Sequence, residues 1–248
     1  MEKEKFNLII DTETISLNKP FVYDIGGVIT NSKGNIVDSF SFCVEQIWHN
    51  TNLFSTAYYS VKRPLYVSAL RGRKIKLTKL GNAMRTIKAI TKKYGIDRVY
   101  AYNSDFDKRA LEFTCANTGR TATPNAFADL PFYDIRKIIA PLFTTQEYES
   151  FCKEKNRLTD TGRVSTTVET IISFLNGGDY VENHTALADS IDESRILTTF
   201  GYLNDAQEFV QLKPIINSTL KIVDKDKKLH EFEYSTKRKK GDTLYLNL

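Results

Sequence analysis

Phe6-Asn-Leu-Ile-Ile-Asp11-Thr-Glu13-Thr14 decides how this 248-residue chain is read. Its apolar run, with Leu8, Ile9 and Ile10 consecutive, suits a strand in the middle of a sheet. The run ends in two carboxylates two positions apart. Alternation along a strand puts i and i+2 on one face, with Cα atoms about 6.6 Å apart. Two acids converging there repel one another unless they are protonated, paired with a cation or bound to metal. No Lys or Arg lies between Lys5 and Lys19 to supply a local partner. Hard oxygen donors of this kind select Mg²⁺ or Mn²⁺ over zinc.

Two more strand-like runs, 22–29 and 36–44, flank Asn31-Ser-Lys-Gly34, which has the chemistry of a hairpin turn. Residues 45–76 show no clear period, and Trp48, Tyr58, Tyr59 and Tyr66 are scattered among polar and basic neighbours. From Leu77 a helical spacing begins, with Leu80, Met84, Ile87, Ile90 and Tyr94 on one face and Gly95 as the stop. Arg85, Lys88 and Lys92 fall on the other face. Residues 98–102 read as a strand that runs into Asn103 and a helix over 105–117, which Gly119 could end. An apolar segment, 129–139, and a more helical, polar region, 144–175, come next. Gly177-Gly178 then breaks the chain before His184 and a helix over 185–200. After Pro214, the runs 219–223, 229–234 and 243–248 read as three short strands joined by Lys/Asp/Gly-rich turns. These define a main domain over 1–212 and a basic β-rich appendage or tail over 213–248.

Composition narrows the function classes. Hydrophobic content of 41% with 26% charged residues describes a soluble globular protein. No apolar run approaches the roughly 18 residues that span a bilayer, and the opening Met1-Glu-Lys-Glu-Lys lacks a signal peptide's apolar region. A cytoplasmic protein without membrane partners is therefore expected. Cys43, Cys115 and Cys152 are an odd number without CxxC pairing, so they read as buried free thiols rather than a zinc cage or disulfide framework. The net charge of +5 is unevenly spread. Residues 62–98 hold twelve Lys/Arg against Asp97 alone, and 221–240 hold eight against four acids, which leaves the remainder at −10. An acidic body with two basic segments suits a protein that holds cations in one place and phosphates in another.

Two further clusters carry chemistry. In Asn103-Ser-Asp-Phe106-Asp107, a strand delivers Asn103 and Asp107 falls in the first helical turn, where the helix dipole favours its ionised form. Asp105 competes for the role and is read instead as the helix cap. In His184-Thr-Ala-Leu-Ala-Asp189 the histidine stands at a helix entrance and the aspartate within the helix. An imidazole with an ordinary pKa near ~6.5 can take a proton from an activated water at neutral pH. Asp24 and Asp134 are read as structural. Tyr58, Tyr59 and Tyr66 are read as buried aromatics, with stacking on terminal bases as the alternative.

Taken in order, Asp11-Thr-Glu13-Thr14, Asn103-x-x-Phe106-Asp107 and His184-x-Ala-Leu-x-Asp189 resemble the three motifs of the DEDD exonuclease superfamily. The histidine marks its DEDDh branch, the DnaQ-like and ribonuclease T-like 3′–5′ exonucleases, and the resemblance covers roughly residues 6–200. It implies an RNase H-like mixed α/β sheet flanked by helices, with the first strand central and the 22–44 hairpin antiparallel to it. It also implies that Asp11, Glu13 and Asp189 hold one Mg²⁺ or Mn²⁺ ion and that Asp11 bridges to a second, helped by Asp107 through water. His184 would then be the general base.

The activity implied is release of nucleoside monophosphates from 3′ ends by two-metal hydrolysis. Thr12, Thr14, Asn103 and Phe106 would bind the substrate, and Lys88 and Lys92 would track its phosphates. Single-stranded DNA is favoured. An RNA-directed enzyme of the same chemistry and a non-catalytic nucleic-acid- or polymerase-binding module are the alternatives. A polymerase or replication partner is assigned to the tail. Two departures stand out: relatives often follow the first motif with Thr-Gly where Ile15-Ser16 stands here, and residues 45–76 and the tail match no family feature.

Overall fold

The computed structural model describes residues 4–57 and 60–199, together with the backbone of three strands beyond residue 217. The chain divides into two compact units, residues 1–134 with 183–191, and residues 135–182 with 192–248. The expected boundary at 212/213 lies outside the described residues, as do Tyr58, Tyr59 and Phe200.

The first unit is built on a mixed six-stranded sheet. In chain order its elements are β1 (Phe6–Thr14), β2 (Val22–Asn31), β3 (Ile36–Val44), α1 (Glu45–Trp48), α2 (Thr51–Phe54), α3 (Arg63–Arg71), β4 (Lys76–Thr78), α4 (Leu80–Tyr94), β5 (Val99–Ala101), α5 (Ser104–Asn117) and β6 (Phe132–Asp134). The strand order is β4-β3-β2-β1-β5-β6, so the Phe6 strand is internal. β2 runs antiparallel to both β1 and β3, while β5 is parallel to β1 and β6. Leu8, Ile9 and Ile10 are fully buried, as a strand covered on both faces requires. The hairpin turn forms at Asn31, whose side-chain oxygen accepts the N–H groups of Lys33 and Asn35 at 3.0 Å.

Alternation along β1 sorts its residues. Phe6 stacks edge to face on Tyr94 of α4 at 5.1 Å, and Asp38, opposite Ile29 and so level with Leu8, accepts from Lys93 and the Tyr94 hydroxyl. α4 therefore covers the even-numbered face of β1. Asp11 and Glu13 point to the other face, which α3 and the 184–189 segment cover. α4 ends as expected at Gly95, in the left-handed conformation at φ 63°. It begins later than expected, at Leu80, because Lys76–Thr78 pair with β3 as a strand.

The described part of the segment without a readable period, 45–76, is mainly short helices, and three of its aromatics fill the core: Trp48, Phe54 and Tyr66 are buried around Tyr23. Tyr66 is only 1% exposed, which rules out the stacking alternative for it. Cys43, Cys115 and Cys152 are all buried.

The second unit contains α6 (Ile135–Ile138), α7 (Gln146–Glu154) and α8 (Val168–Asn176), and α9 (Ala186–Thr199) runs into it. Its aromatics, Tyr148, Phe151 and Phe174, pack within 5.2–6.5 Å of one another, and Arg157 pairs with Glu169 at 2.7 Å. β7 (Ser218–Val223), β8 (Leu229–Tyr234) and β9 (Leu244–Asn247) form a three-stranded sheet in the order β8-β7-β9, close to the sequence reading. Among the described residues no helix is long and apolar enough to cross a membrane.

Candidate active site

β1 carries Glu13 to its last turn of pleat, 7% exposed, where the Tyr23 hydroxyl donates to Oε2 at 3.5 Å. Asp11, two residues earlier on the same face, is partly exposed and pairs across the sheet with Gly26. That glycine decides the site. A Cβ built on it would lie 2.1 Å from both the carbonyl carbon of Ala186 and the backbone nitrogen of Leu187. The entrance of α9 rests directly on the bare backbone of β2, a close approach open only to glycine. Ala186 N–H donates to Asp24 Oδ2 at 3.0 Å and fixes the approach.

One turn into α9, Asp189 N–H donates to Thr185 O at 3.0 Å, and the carboxylate is 5% exposed. His184 precedes the helix with φ 50°, in the left-handed region. As a result Glu13, His184 and Asp189 each present a ligand atom within 4.8 Å of the other two. Two nearly buried carboxylates held this close repel one another unless they are protonated, paired with a cation or bound to metal. The carboxylate oxygens suit a hard divalent cation such as Mg²⁺ or Mn²⁺, and the partly exposed imidazole stands beside them, within reach of a water that such an ion would hold.

Asp107 is placed differently. It is 2% exposed at the start of α5 and accepts the Thr12 hydroxyl at 2.7 Å together with the Thr12 backbone N–H. Burial pushes its carboxyl up to about 7, against the lowering effect of those hydrogen bonds, and nearby Asp134 adds to the rise. Asp134 itself accepts the Asn103 N–H at 3.1 Å, and so ties β6 to the turn that starts α5. Asp105 is not the cap: Asn103, in the left-handed conformation, occupies that position without a side-chain capping bond, and Asp105 lies exposed inside the first turn.

Glu13, His184 and Asp189 thus come together, with Asp11 beside them along the strand. Thr12 faces Asp107, while Asn103 is exposed and Phe106 half-buried under the Arg109 guanidinium at 5.6 Å. Thr14 ends β1 half-buried. Lys88 and Lys92 are not brought to this group. They lie on the exposed side of α4, which covers the opposite face of the sheet. Sequence reasoning missed Gly26. Its signal was the Gly26-Gly27 pair in the interior of a strand pattern, which marks a close backbone approach.

Among solved structures the chain is similar to E. coli exonuclease I in complex with a 5cy-dT13 oligonucleotide, at TM-score 0.54 and 14% identity over 84% of this chain and 42% of that one. It is likewise similar to exonuclease I in complex with the inhibitor BCBP (TM-score 0.52, 13% identity, 85% and 44% covered) and to an ExoI/SSB-Ct complex (TM-score 0.52, 12% identity, 84% and 43% covered). The chain spans less than half the length of these proteins, and at such identity the likeness is one of fold. The shared architecture is the RNase H-like mixed sheet flanked by helices. No protein-family model matches the sequence, and no curated protein matches it.

Proposed function

We propose that this chain is a divalent-metal-dependent 3′–5′ exonuclease of the DEDDh kind that releases nucleoside monophosphates from DNA. The convergence of Glu13, His184 and Asp189 within 4.8 Å carries the reading. The motif order and the fold of proteins whose structures hold oligonucleotides support it.

Glu13 and Asp189, with Asp11 beside them, would hold the metal, and Asp107 would act from the edge of the site. The chemistry supplied by two divalent cations, once bound, is activation of a water and neutralisation of charge on the leaving 3′-oxygen. His184 accepts the proton of the attacking water. The water oxygen bonds to phosphorus, the bond from phosphorus to the 3′-oxygen breaks with its electron pair going to that oxygen, which takes a proton from solvent as the 3′-hydroxyl of the shortened strand, and a nucleoside 5′-monophosphate is released.

Phosphate contacts upstream come from the α3 half of the basic segment, which reaches the His184 turn through Lys62, whose ammonium donates to Asn183 O at 2.9 Å. The tail has no support as a polymerase dock; of the similar complexes, one holds an oligonucleotide and another the SSB C-terminus.

The test is digestion of 3′-labelled single-stranded DNA, duplex DNA and RNA, each with Mg²⁺, Mn²⁺ or chelator. Mononucleotide release from single-stranded DNA, stopped by chelator, is expected. Products longer than one nucleotide, or release that ignores chelator, refute the reading.

A further inference from the structure

His184 sits in a sparsely populated backbone region, so its neighbours must hold it there. The residue before it is held by Lys62, which donates to Asn183 O at 2.9 Å. The residue two after it is held by Asp24, whose Oδ2 accepts Ala186 N–H at 3.0 Å. Tyr66 of α3 donates its hydroxyl to the same oxygen at 2.7 Å. Asp24 is fully buried and Tyr66 1% exposed, so neither can touch substrate. The Tyr66 ring packs edge to face on Tyr23 at 5.7 Å, and the Tyr23 hydroxyl reaches Glu13. Three buried hydrogen bonds, joined by that one ring contact, therefore run from Glu13 on β1 to the backbone between His184 and Asp189.

We infer that Tyr66 and Asp24 are positioning residues for the metal centre, and that they set where His184 and Asp189 stand relative to Glu13. The inference rests on the active-site reading above. It gives residues 45–76 a role: their short helices carry a hydroxyl to the point where the third motif docks. Tyr66 orients Asp24, and Asp24 grips the backbone amide three residues before Asp189. With the grip loosened, the fold survives on its aromatic core. The distance between the Glu13 and Asp189 carboxylates, on which cation affinity depends, is then no longer fixed.

The experiment compares wild type with Tyr66→Phe, Asp24→Asn and Asp24→Ala. Tyr148→Phe is the control, because it deletes a buried hydroxyl that donates to Ser165 O at 2.8 Å in the other unit. Mn²⁺ affinity is measured by titration calorimetry without substrate, and kcat and KM on a 3′-labelled oligonucleotide. Tyr66→Phe should weaken Mn²⁺ binding about tenfold and lower kcat by a similar factor, with KM unchanged. Asp24→Asn keeps an acceptor for Ala186 N–H and should stay near wild type, while Asp24→Ala should match or exceed the Tyr66→Phe loss. Should Asp24→Ala not fold, Tyr66→Phe decides alone. Tyr148→Phe should lower only the melting temperature. Wild-type Mn²⁺ affinity and kcat in Tyr66→Phe, with the wild type itself active, overturn the inference alone. A wild type that neither binds Mn²⁺ nor releases nucleotides overturns the active-site reading, and this inference with it.

Discussion

Replacing Gly26 by alanine adds one methyl group to the molecule, yet it should disable the site. The new Cβ would stand 2.1 Å from Ala186 C and Leu187 N and 2.4 Å from Ala186 O. These are backbone atoms with no rotamer to escape into. Ordinary contact needs about 3.5 Å, so the entrance of α9 must retreat by more than about 1 Å. Asp189 and His184 move with it, away from Glu13. A misplacement of that size at a reacting centre costs on the order of 10²-fold in rate. Overpacking should also cost about 1–3 kcal/mol of stability. Gly27→Ala is the matched control, because its Cβ would meet the tip of the Phe40 ring at 2.4 Å, a side chain that can turn away, on the opposite face of the sheet. The assay is mononucleotide release from a 3′-labelled oligonucleotide, well below both melting temperatures, with Mn²⁺ affinity measured in parallel. Gly26→Ala should lose activity and metal affinity, and Gly27→Ala only stability. A Gly26→Ala protein with wild-type Mn²⁺ affinity and rate would refute the docking argument.

Other substitutions probe the remaining parts. Glu13→Gln and Asp189→Asn should each lower the rate by roughly 10³-fold and abolish the calorimetric Mn²⁺ signal, and full turnover in either would remove that residue from the site. His184→Ala should cost about 10²–10⁴-fold near neutral pH and remove the limb of the pH–rate profile that reports the base; an unchanged limb would leave the base unassigned. Burial pushes the Asp24 carboxyl up to about 6, above its unfolded value near ~3.9. Folding therefore favours its protonated form: that contribution is full below about pH 4 and lost as pH rises through about 6, about 3 kcal/mol in all. Urea unfolding in chelator should show wild type losing this stability relative to Asp24→Asn between pH 4 and 7, and parallel curves would contradict it. Charge reversal at Lys88 and Lys92 should change oligonucleotide affinity by no more than about twofold at physiological salt, since α4 covers the opposite face of the sheet from Glu13. A larger loss would put the strand's path over α4.

Much of this protein was legible in its sequence because the relevant forces are local. The apolar run before Asp11, the Asn31–Gly34 turn and the Leu80–Tyr94 spacing each specify an element through alternation, turn chemistry or helical period, and each element formed. The order and spacing of the three motifs likewise named the residues worth watching. Residues 45–76 were illegible because their helices are too short to show a period, and their aromatics answer to Tyr23, on another element.

Which carboxylates meet, however, depends on strand register and on how closely two backbones approach, and neither is written within any one motif. Tertiary structure alone put Gly26 opposite Asp11, seated Ala186 on it, and drew Glu13, His184 and Asp189 into one group while Asp107 turned to Thr12. It also set α4, with Lys88 and Lys92, behind the sheet. A helix's exposed face follows from its own periodicity, but the side of the sheet it covers is fixed by the path of the chain between distant strands.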